Sequence, residues 1–287
     1  MSYEWHDAAT WSEALALLER HADDATVVAG STAFTLLYRQ GLIRPGHVVA
    51  LRRISDAARI DADAHGGLSI GAMATHSAVA SSERVRRSWP ELADAVSTVA
   101  TIRVRNQATL GGSVAHADPA SDAPVMLAAL AAQAVVVSGS GATKRRVPVD
   151  EIFVDTFTTS LAPTELIHSI EVPARPAGAR AVYRKFTLRS VDDYATVSVG
   201  ALADLGGGTV NALRVFLGGV GPTPMRARSV ERALIGGPAD GRRFAEAAAL
   251  ARDEVDPIDD ARGSADYKRE MARVWTERAL RSLVEIS

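Results

Sequence analysis

Residues 101–122 read TIRVRNQATLGGSVAHADPASD, and their most informative feature is the pair Gly111-Gly112 held between Thr109 and Ser113. Glycine can take positive φ, and it lets main-chain N–H groups approach a ligand that a Cβ atom would hold away. The two hydroxyl groups add hydrogen-bond donors, and successive N–H groups in such a loop form an anion-binding concavity. A tight turn is the alternative for an isolated Gly-Gly pair, but the full pattern favours a diphosphate site.

A second segment of the same kind lies near the N-terminus. Residues 26–29 (TVVA) are typical of a short buried strand, residues 30–32 (GST) of a turn, and residues 33–40 of a helix with Gly41 just past its end. A strand that enters a helix through a small-residue turn places unpaired N–H groups and the positive dipole end together. The segment matches neither the G-x-G-x-x-G fingerprint nor a Walker loop. Two separate phosphate loops predict one long ligand between them.

Length and charge restrict the class of protein. The chain has 287 residues, a formal net charge of −2 and a pI of about 6.4. Its length allows two domains, and its near-neutral charge gives no electrostatic basis for binding nucleic acid or an anionic membrane. The N-terminal sequence MSYEW lacks the pattern of a signal peptide, and no apolar run approaches the roughly 20 residues of a spanning helix. We therefore expect a cytoplasmic protein.

The chain contains no cysteine, so it cannot supply the thiolates that chiefly hold iron–sulfur clusters. Its seven histidines are scattered, without an i, i+4 pair or an H-x-H arrangement, and we expect them on the surface or in loops, with no metal site. Redox chemistry in this chain must therefore come from a bound organic cofactor, or be absent.

The order of predicted elements indicates an α+β protein of two domains. The first would cover residues 1–174, in two lobes of about 1–56 and 57–174, and the second residues 179–287. The intervening sequence ARPAG is the best candidate for a linker. We expect the second domain to contain an antiparallel sheet followed by three helices, near residues 227–235, 242–255 and 265–285.

Three local patterns complete the prediction. A helix is expected from Glu91 to about Ile102, and Asp122, two residues before Pro124, is expected to cap the next helix. The triple glycine at residues 206–208 lies between two apolar runs and predicts a hairpin, because a strand and not a helix follows it.

Both loops and their spacing resemble those of the FAD-binding medium subunits of the molybdenum hydroxylases, the group of carbon monoxide dehydrogenase and xanthine dehydrogenase. The family's first loop usually reads Ala-Gly-Gly-Thr/His-Asp/Ser, and its second contains Thr-x-Gly-Gly-Asn/Ser before Ala-Asp/Ser-Pro-x-x-Asp. The likeness continues in family order, including YRKF at 183–186, DDYA at 192–195, GGVGPTPMRA at 218–227 and DARGSADYKR at 260–269. One departure is Ser31, which replaces the usual second glycine of the first loop.

The resemblance implies a two-lobed FAD-binding domain of the vanillyl-alcohol oxidase type, followed by a small domain with an antiparallel sheet and a helix bundle. It places the pyrophosphate between the two loops, bound largely by main-chain N–H groups. Asp122 matches an aspartate that bonds ribityl or ribose hydroxyls, with a helix cap as its alternative role. Lys185 matches a lysine near the isoalloxazine, and Tyr194 a tyrosine beside the flavin ring, with a buried strand tyrosine as the alternative.

Val99 and Ile167 match apolar positions beside the flavin and adenine ends, although a core role fits them equally. His116 lies near the second loop, but we expect FAD to be bound without a covalent link. No residue is predicted to be catalytic. The candidate cofactor-binding residues are Ala29, Gly30, Ser31, Thr32, Ala33, Val99, Thr109, Gly111, Gly112, Ser113, His116, Asp122, Ile167, Lys185 and Tyr194.

The resemblance also implies a role and partners. In such complexes a molybdenum-cofactor large subunit oxidises the substrate, and a small iron–sulfur subunit relays electrons. The flavin subunit passes them to an external acceptor, and the assembly would be a heterotrimer, present as a dimer of heterotrimers. Two alternatives stay open: a free-standing FAD-dependent oxidoreductase, and a flavin-free structural or interaction subunit.

Overall fold

The computed structural model describes residues 3–21, 24–63, 65–139, 141 and 143–285. The strands are Glu4–Asp7 (β1), Ala25–Val28 (β2), His47–Ala50 (β3), Ile60–Ala62 (β4), Leu68–Gly71 (β5), Gln133–Ser138 (β6), Thr143–Pro148 (β7), Phe153–Asp155 (β8), Thr158–Thr159 (β9), Leu166–Val172 (β10), Ala179–Phe186 (β11), Val197–Asp204 (β12), Ala212–Gly218 (β13) and Met225–Arg226 (β14). The helices are Trp11–His21 (α1), Thr32–Gln40 (α2), His76–Ser81 (α3), Glu83–Ser88 (α4), Pro90–Ser97 (α5), Ile102–Arg105 (α6), Leu110–His116 (α7), Asp122–Ala129 (α8), Val149–Ile152 (α9), Arg228–Leu234 (α10), Gly241–Ala249 (α11) and Ala265–Glu285 (α12).

The first lobe is a parallel sheet in the order β1-β3-β2 with one helix on each face. Alternate residues of β3 point to opposite faces. Val49 packs in the cluster that contains α1, whereas Val48 and Ala50 pack beside Phe34 of α2. The predicted strand, turn and helix near residues 26–40 are confirmed within one residue at each end.

The second lobe is an antiparallel sheet in the order β4-β5-β10-β6-β7. Its core joins the sheet to α3, α5, α7 and α8. The helix predicted to run from Glu91 to Ile102 was too long, because α5 ends at Ser97. The chain then turns at Ala100, with φ 42°, and the carbonyls of Thr98 and Val99 accept hydrogen bonds from side chains rather than from a continuing helix.

The C-terminal part is an antiparallel sheet in the order β11-β12-β13-β14, covered by α10, α11 and α12. The predicted hairpin at residues 206–208 is confirmed, since β12 pairs with β13 across that turn. The helix expected over 242–255 ends at Ala249 and continues as a 3₁₀ turn, Leu250–Asp253.

Helix α8 joins the two halves of the molecule. All eight of its residues are buried, and a Cβ atom built on Gly200 of β12 would lie 3.0 Å from the carbonyl oxygen of Val125. The C-terminal sheet therefore packs directly on a helix of the second lobe. Within the described residues, none of the helices is both long and apolar enough to span a bilayer.

Candidate functional site

The first loop leads from β2 into the N-terminal end of α2. Ser31 is the residue before the helix, and its torsions, φ 59° and ψ 7°, are left-handed. In the described part of the chain its side chain makes no capping hydrogen bond. The first N–H groups of a helix have no partner within the helix, so those at the start of α2 can serve an anion. Ser31 thus adopts the left-handed conformation for which glycine is the usual choice.

The glycine pair of the second segment does not form the loop that the sequence predicts. Gly111 and Gly112 lie in the first turn of α7, and neither has positive φ. Gly111 is required by packing, because an added Cβ would lie 2.5 Å from the Cβ of Ala72, and its N–H donates to the Ala72 carbonyl at 3.0 Å. The Gly112 N–H donates to Thr109 Oγ1 at 3.1 Å, which caps the helix. The segment is a capped helix start instead of a glycine nest.

The structure brings the two segments together. A Cβ atom on Gly30 would lie 1.9 Å from the carbonyl oxygen of Gln107, so the loop backbones are in direct contact there. One built on Gly112 would lie 3.8 Å from the Cβ of Ala29. Residues 29–33 and 109–113 therefore form one continuous surface, and α2 and α7 both begin at this surface. This is the adjacency that a ligand spanning both loops requires.

A histidine that the sequence did not single out supports this surface. His76 is fully buried, contrary to the expectation that the histidines lie on the surface or in loops, and its Nε2 lies 2.8 Å from Ser113 Oγ. Its Nδ1 has no hydrogen-bond partner among the described residues. Burial, and secondarily the charge of Arg105, lowers the pKa of His76 to about 4. A neutral imidazole thus fixes the Ser113 side chain.

A buried ionic network lies where α8 meets β11. The Lys185 Nζ is 2.9 Å from Asp122 Oδ2 and donates to the carbonyl of Thr98 at 2.8 Å. The hydroxyl of Tyr183 donates to the other oxygen of Asp122. Tyr183 and Lys185 are two residues apart on one strand, so both side chains point to the same face of the sheet. The side chains of Asp122 and Lys185 are only 6% and 5% exposed.

These contacts correct the predicted cap. Ser121 precedes α8, Asp122 is its first residue, and the Asp122 carboxylate binds side chains of β11. Burial raises the pKa of the Asp122 carboxyl, and the Lys185 ammonium opposes that rise. Burial beside the Asp122 carboxylate also raises the pKa of Tyr183 well above its usual value. Sequence reasoning missed Tyr183, although its position two residues before Lys185 on a strand was a usable signal.

The remaining predicted residues lie at different places. Tyr194 is 55% exposed and lies between β11 and β12, so the alternative of a buried strand tyrosine was wrong. Partial burial of its hydroxyl and the nearby Asp118 carboxylate raise the pKa of Tyr194 to about 12. Its ring lines a surface pocket with Leu188, Arg189, Asp193, Ala261 and Arg262.

Val99, His116 and Ile167 have ordinary structural contacts. Val99 is half-buried, and its carbonyl accepts from Arg105 Nη1 at 2.9 Å. His116 ends α7 with its ring centroid 5.1 Å from that of Phe157, and burial lowers its pKa. Ile167 is buried in the second-lobe core. Their contact with a cofactor stays a prediction.

The arrangement defines a class of protein: a two-part α+β protein with a site for an elongated phosphate-bearing cofactor. Main-chain N–H groups at the start of α2 suit a pyrophosphate.

Comparison with known proteins gives the family. Residues 1–175 match the FAD binding domain in molybdopterin dehydrogenase, and residues 181–283 match the CO dehydrogenase flavoprotein C-terminal domain. The chain belongs to the family of FAD-binding medium subunits of the molybdenum hydroxylases. Its cofactor is FAD, and its class of activity is that of an oxidoreductase.

Three similar proteins illustrate the extent of the likeness. Subunit alpha of the 6-hydroxypseudooxynicotine dehydrogenase complex of Paenarthrobacter nicotinovorans is 32% identical over 97% of this chain and 93% of that subunit. The carbon monoxide dehydrogenase medium chain of Hydrogenophaga pseudoflava is 33% identical over 97% of this chain and 96% of that medium chain. A solved structure of that organism's carbon monoxide dehydrogenase, lacking the Mo-pyranopterin moiety of the molybdenum cofactor, superposes with a TM-score of 0.95 over 99% of this chain and 98% of that chain, at 34% identity.

Proposed function

We propose that this chain takes electrons from an iron–sulfur cluster of a small partner subunit onto FAD and delivers them to an external acceptor. Its substrate would be oxidised on a separate molybdenum-cofactor subunit, in a dimer of heterotrimers. The observation that carries this proposal is the pairing of a two-loop cofactor surface with a chain that has no cysteine for a cluster. When bound, FAD supplies electron transfer in steps of one or two electrons.

The residues of the two loops are proposed to hold the pyrophosphate. The N–H groups at the start of α2 have no capping side chain at Ser31 to compete with an anion. Thr109 holds the start of α7 in place through its bond to the Gly112 N–H, and His76 orients the Ser113 hydroxyl. Both helix dipoles present their positive ends to the same surface, which favours negative charge there.

Asp122 and Lys185 are proposed to act as a hydrogen-bonded pair near the sugar or ring part of FAD. Because the two charges lie 2.9 Å apart and are buried, the pair presents no net charge to its surroundings. The proposed role of Lys185 is therefore to position Asp122 and donate a directed hydrogen bond, rather than to supply an isolated cation. Val99, His116, Ile167 and Tyr194 complete the proposed site.

Two further proposals concern the architecture. The two lobes and the linker near residue 175 support a FAD-binding domain of the vanillyl-alcohol oxidase type over residues 1–174 and a second domain over residues 179–287. The matched segments of the two family profiles, 1–175 and 181–283, support the same division. The cytoplasmic location expected from the sequence stays a prediction.

Purification from the native host through a tag on this chain tests the subunit role. We expect the native mass to exceed that of the chain, with FAD, iron and molybdenum recovered in fixed proportion. Isolated chain should show at most flavin-dependent reduction of artificial dyes. A fully active monomer or homo-oligomer free of iron and molybdenum would contradict the subunit role and support a free-standing flavoenzyme.

A further inference from the structure

Three histidines distant in the sequence meet at one edge of the first lobe. His6 lies on β1, His21 at the end of α1 and His47 at the start of β3, and one ring nitrogen from each lies within 4.8 Å of the others. The rings stack, with centroids 3.7 Å apart for His21 and His47 and 5.3 Å apart for His6 and His47. All three residues are partly buried. Their spacings match no local metal motif, so sequence analysis does not group them.

The fold explains why these side chains converge. Strands β1 and β3 are parallel neighbours, and Glu4 of β1 is paired with His47 of β3. Because His6 is two residues after Glu4, the side chains of Glu4, His6 and His47 all point to one face of the sheet. Val49 of that face packs against α1, and the last residue of α1 is His21. The backbone therefore brings the three imidazoles together at one edge of the sheet.

Two of the donor atoms are spaced as in a small tetrahedral metal site. His6 Nε2 and His47 Nδ1 are 3.1 Å apart, and two ligands of a tetrahedral zinc with Zn–N bonds of 2.0–2.1 Å are separated by about 3.3 Å. Glu4 offers a fourth donor, since its carboxylate oxygens lie 3.8 Å from His6 Nε2 and 3.7 Å from His47 Nδ1. Three imidazoles and one carboxylate are a donor set that suits zinc and not magnesium or calcium.

The Glu4 carboxylate gives this position a negative charge that favours a cation. The carboxyl end of α1 adds the negative end of a helix dipole, which favours a cation. In the absence of metal, one of the two facing nitrogens of His6 and His47 must carry a proton that the other accepts.

We propose that Glu4, His6, His21 and His47 form a binding site for one zinc ion that fastens the end of α1 to strands β1 and β3. The site is separate from the cofactor surface. In the register of the sheet His47 pairs with Ala25, whereas the first cofactor loop follows Val28 at the other end of β2. When the metal binds, the proton that lies between His6 and His47 would move to the other nitrogen of the imidazole that carries it.

Zinc titration of the full-length, FAD-loaded chain, purified with a tag that contains no histidine, tests this site. We expect one zinc ion per chain, competing successfully with a chromophoric chelator, and a higher melting temperature with zinc than with magnesium. His21→Ala and His47→Ala should each weaken zinc binding by about tenfold or more, since even the loss of an outer-shell partner costs about 10- to 100-fold. Glu4→Gln, at a side chain 67% exposed, should weaken it less.

His65→Gln is the matched control, because His65 is exposed on a different loop and its substitution should leave zinc binding unchanged. The flavin spectrum and the zinc-free melting temperature show whether each variant is folded. If His47→Ala does not fold, His21→Ala and Glu4→Gln still decide the question. Equal zinc affinity in the wild type and His21→Ala, or wild-type binding no tighter than that of a His6→Ala/His21→Ala/His47→Ala variant, would overturn the proposal.

Discussion

Asp122 and Lys185 form a buried pair of opposite charges, and each depends on the other for compensation. Their side chains are 6% and 5% exposed, and Lys185 has one further acceptor, the carbonyl of Thr98. Removing one partner of a buried pair leaves the other charge uncompensated, which costs about 3–5 kcal/mol. The pair therefore ties the stability of α8 to that of β11.

The substitution Asp122→Asn tests this coupling. We expect it to lower the free energy of unfolding by about 3–5 kcal/mol, because the amide keeps an acceptor for Tyr183 but no longer compensates the ammonium. The double variant Asp122→Asn/Lys185→Met should regain part of the loss. Urea unfolding of the flavin-free chain provides the measurement. A loss below about 1 kcal/mol, typical of an exposed ion pair, would show that the pair is not buried in solution.

His76 predicts a pH dependence of stability with a definite sign. Its pKa in the folded chain is about 4, below the ordinary value of 6.5, so the unfolded chain binds the proton first. Stability is then complete above about pH 6.5 and falls as the pH drops towards 4, by about 3 kcal/mol in total for this residue. We expect the free energy of unfolding of His76→Gln to vary less with pH over that interval.

Unfolding free energies of wild type, His76→Gln and the exposed-loop control His65→Gln should be compared between pH 7 and pH 4. The wild type and the control should lose stability in parallel, while His76→Gln loses less. Parallel curves for all three proteins would mean that His76 is not buried as a neutral imidazole.

At the scale of elements, Thr109 decides how α7 begins. Its Oγ1 accepts from the Gly112 N–H at 3.1 Å, and the residue is 3% exposed. Replacing a capping threonine with alanine costs about 1 kcal/mol. We expect Thr109→Ala to lose that stability and to weaken FAD binding, and Thr109→Ser to retain both. Thermal unfolding and flavin titration measure the two effects; a serine variant as impaired as the alanine variant would exclude capping as the cause.

The sequence predicted the elements better than the contacts between them. The turn into α2 follows from small residues between an apolar strand and a helix pattern, which are local features. The pair Gly111-Gly112 was assigned to a loop because the reason for Gly111, its approach to Ala72, comes from a distant part of the chain. Similarly, Asp122 matched the local pattern of a helix cap, and only β11 provides its actual partners.

At the scale of the whole molecule, the proposed cofactor site draws on both matched segments of the chain. The loops belong to residues 1–175, whereas Tyr183 and Lys185 reach Asp122 from residues 181–283. Ala181, Tyr183 and Phe216 pack in the same core cluster as the second lobe. The histidine cluster illustrates the same limit of sequence reasoning, since His6, His21 and His47 meet only through the parallel pairing of β1 with β3.

The central claim is that FAD lies on the surface shared by residues 29–33 and 109–113. Valine at Gly112 would place its Cβ atom 2.8 Å from Thr109 Oγ1 and beside Ala29, disturbing the helix start and the approach to the phosphates. Gly207 is the control: among the described residues, and apart from its chain neighbours, none has an atom within 4 Å of an added Cβ there. Its φ of 63° makes a substitution strained, so the cost should fall on folding stability.

Titration of the flavin-free chain with FAD, followed by flavin fluorescence on folded protein, is the most direct test. The predicted result is one FAD per wild-type chain, released into the supernatant by acid precipitation. Gly112→Val should lower the affinity by about 5- to 150-fold, equivalent to one unmade hydrogen bond of about 1–3 kcal/mol, and Gly207→Val should leave it unchanged. Equal FAD affinity in the wild type and Gly112→Val would contradict the location of the site.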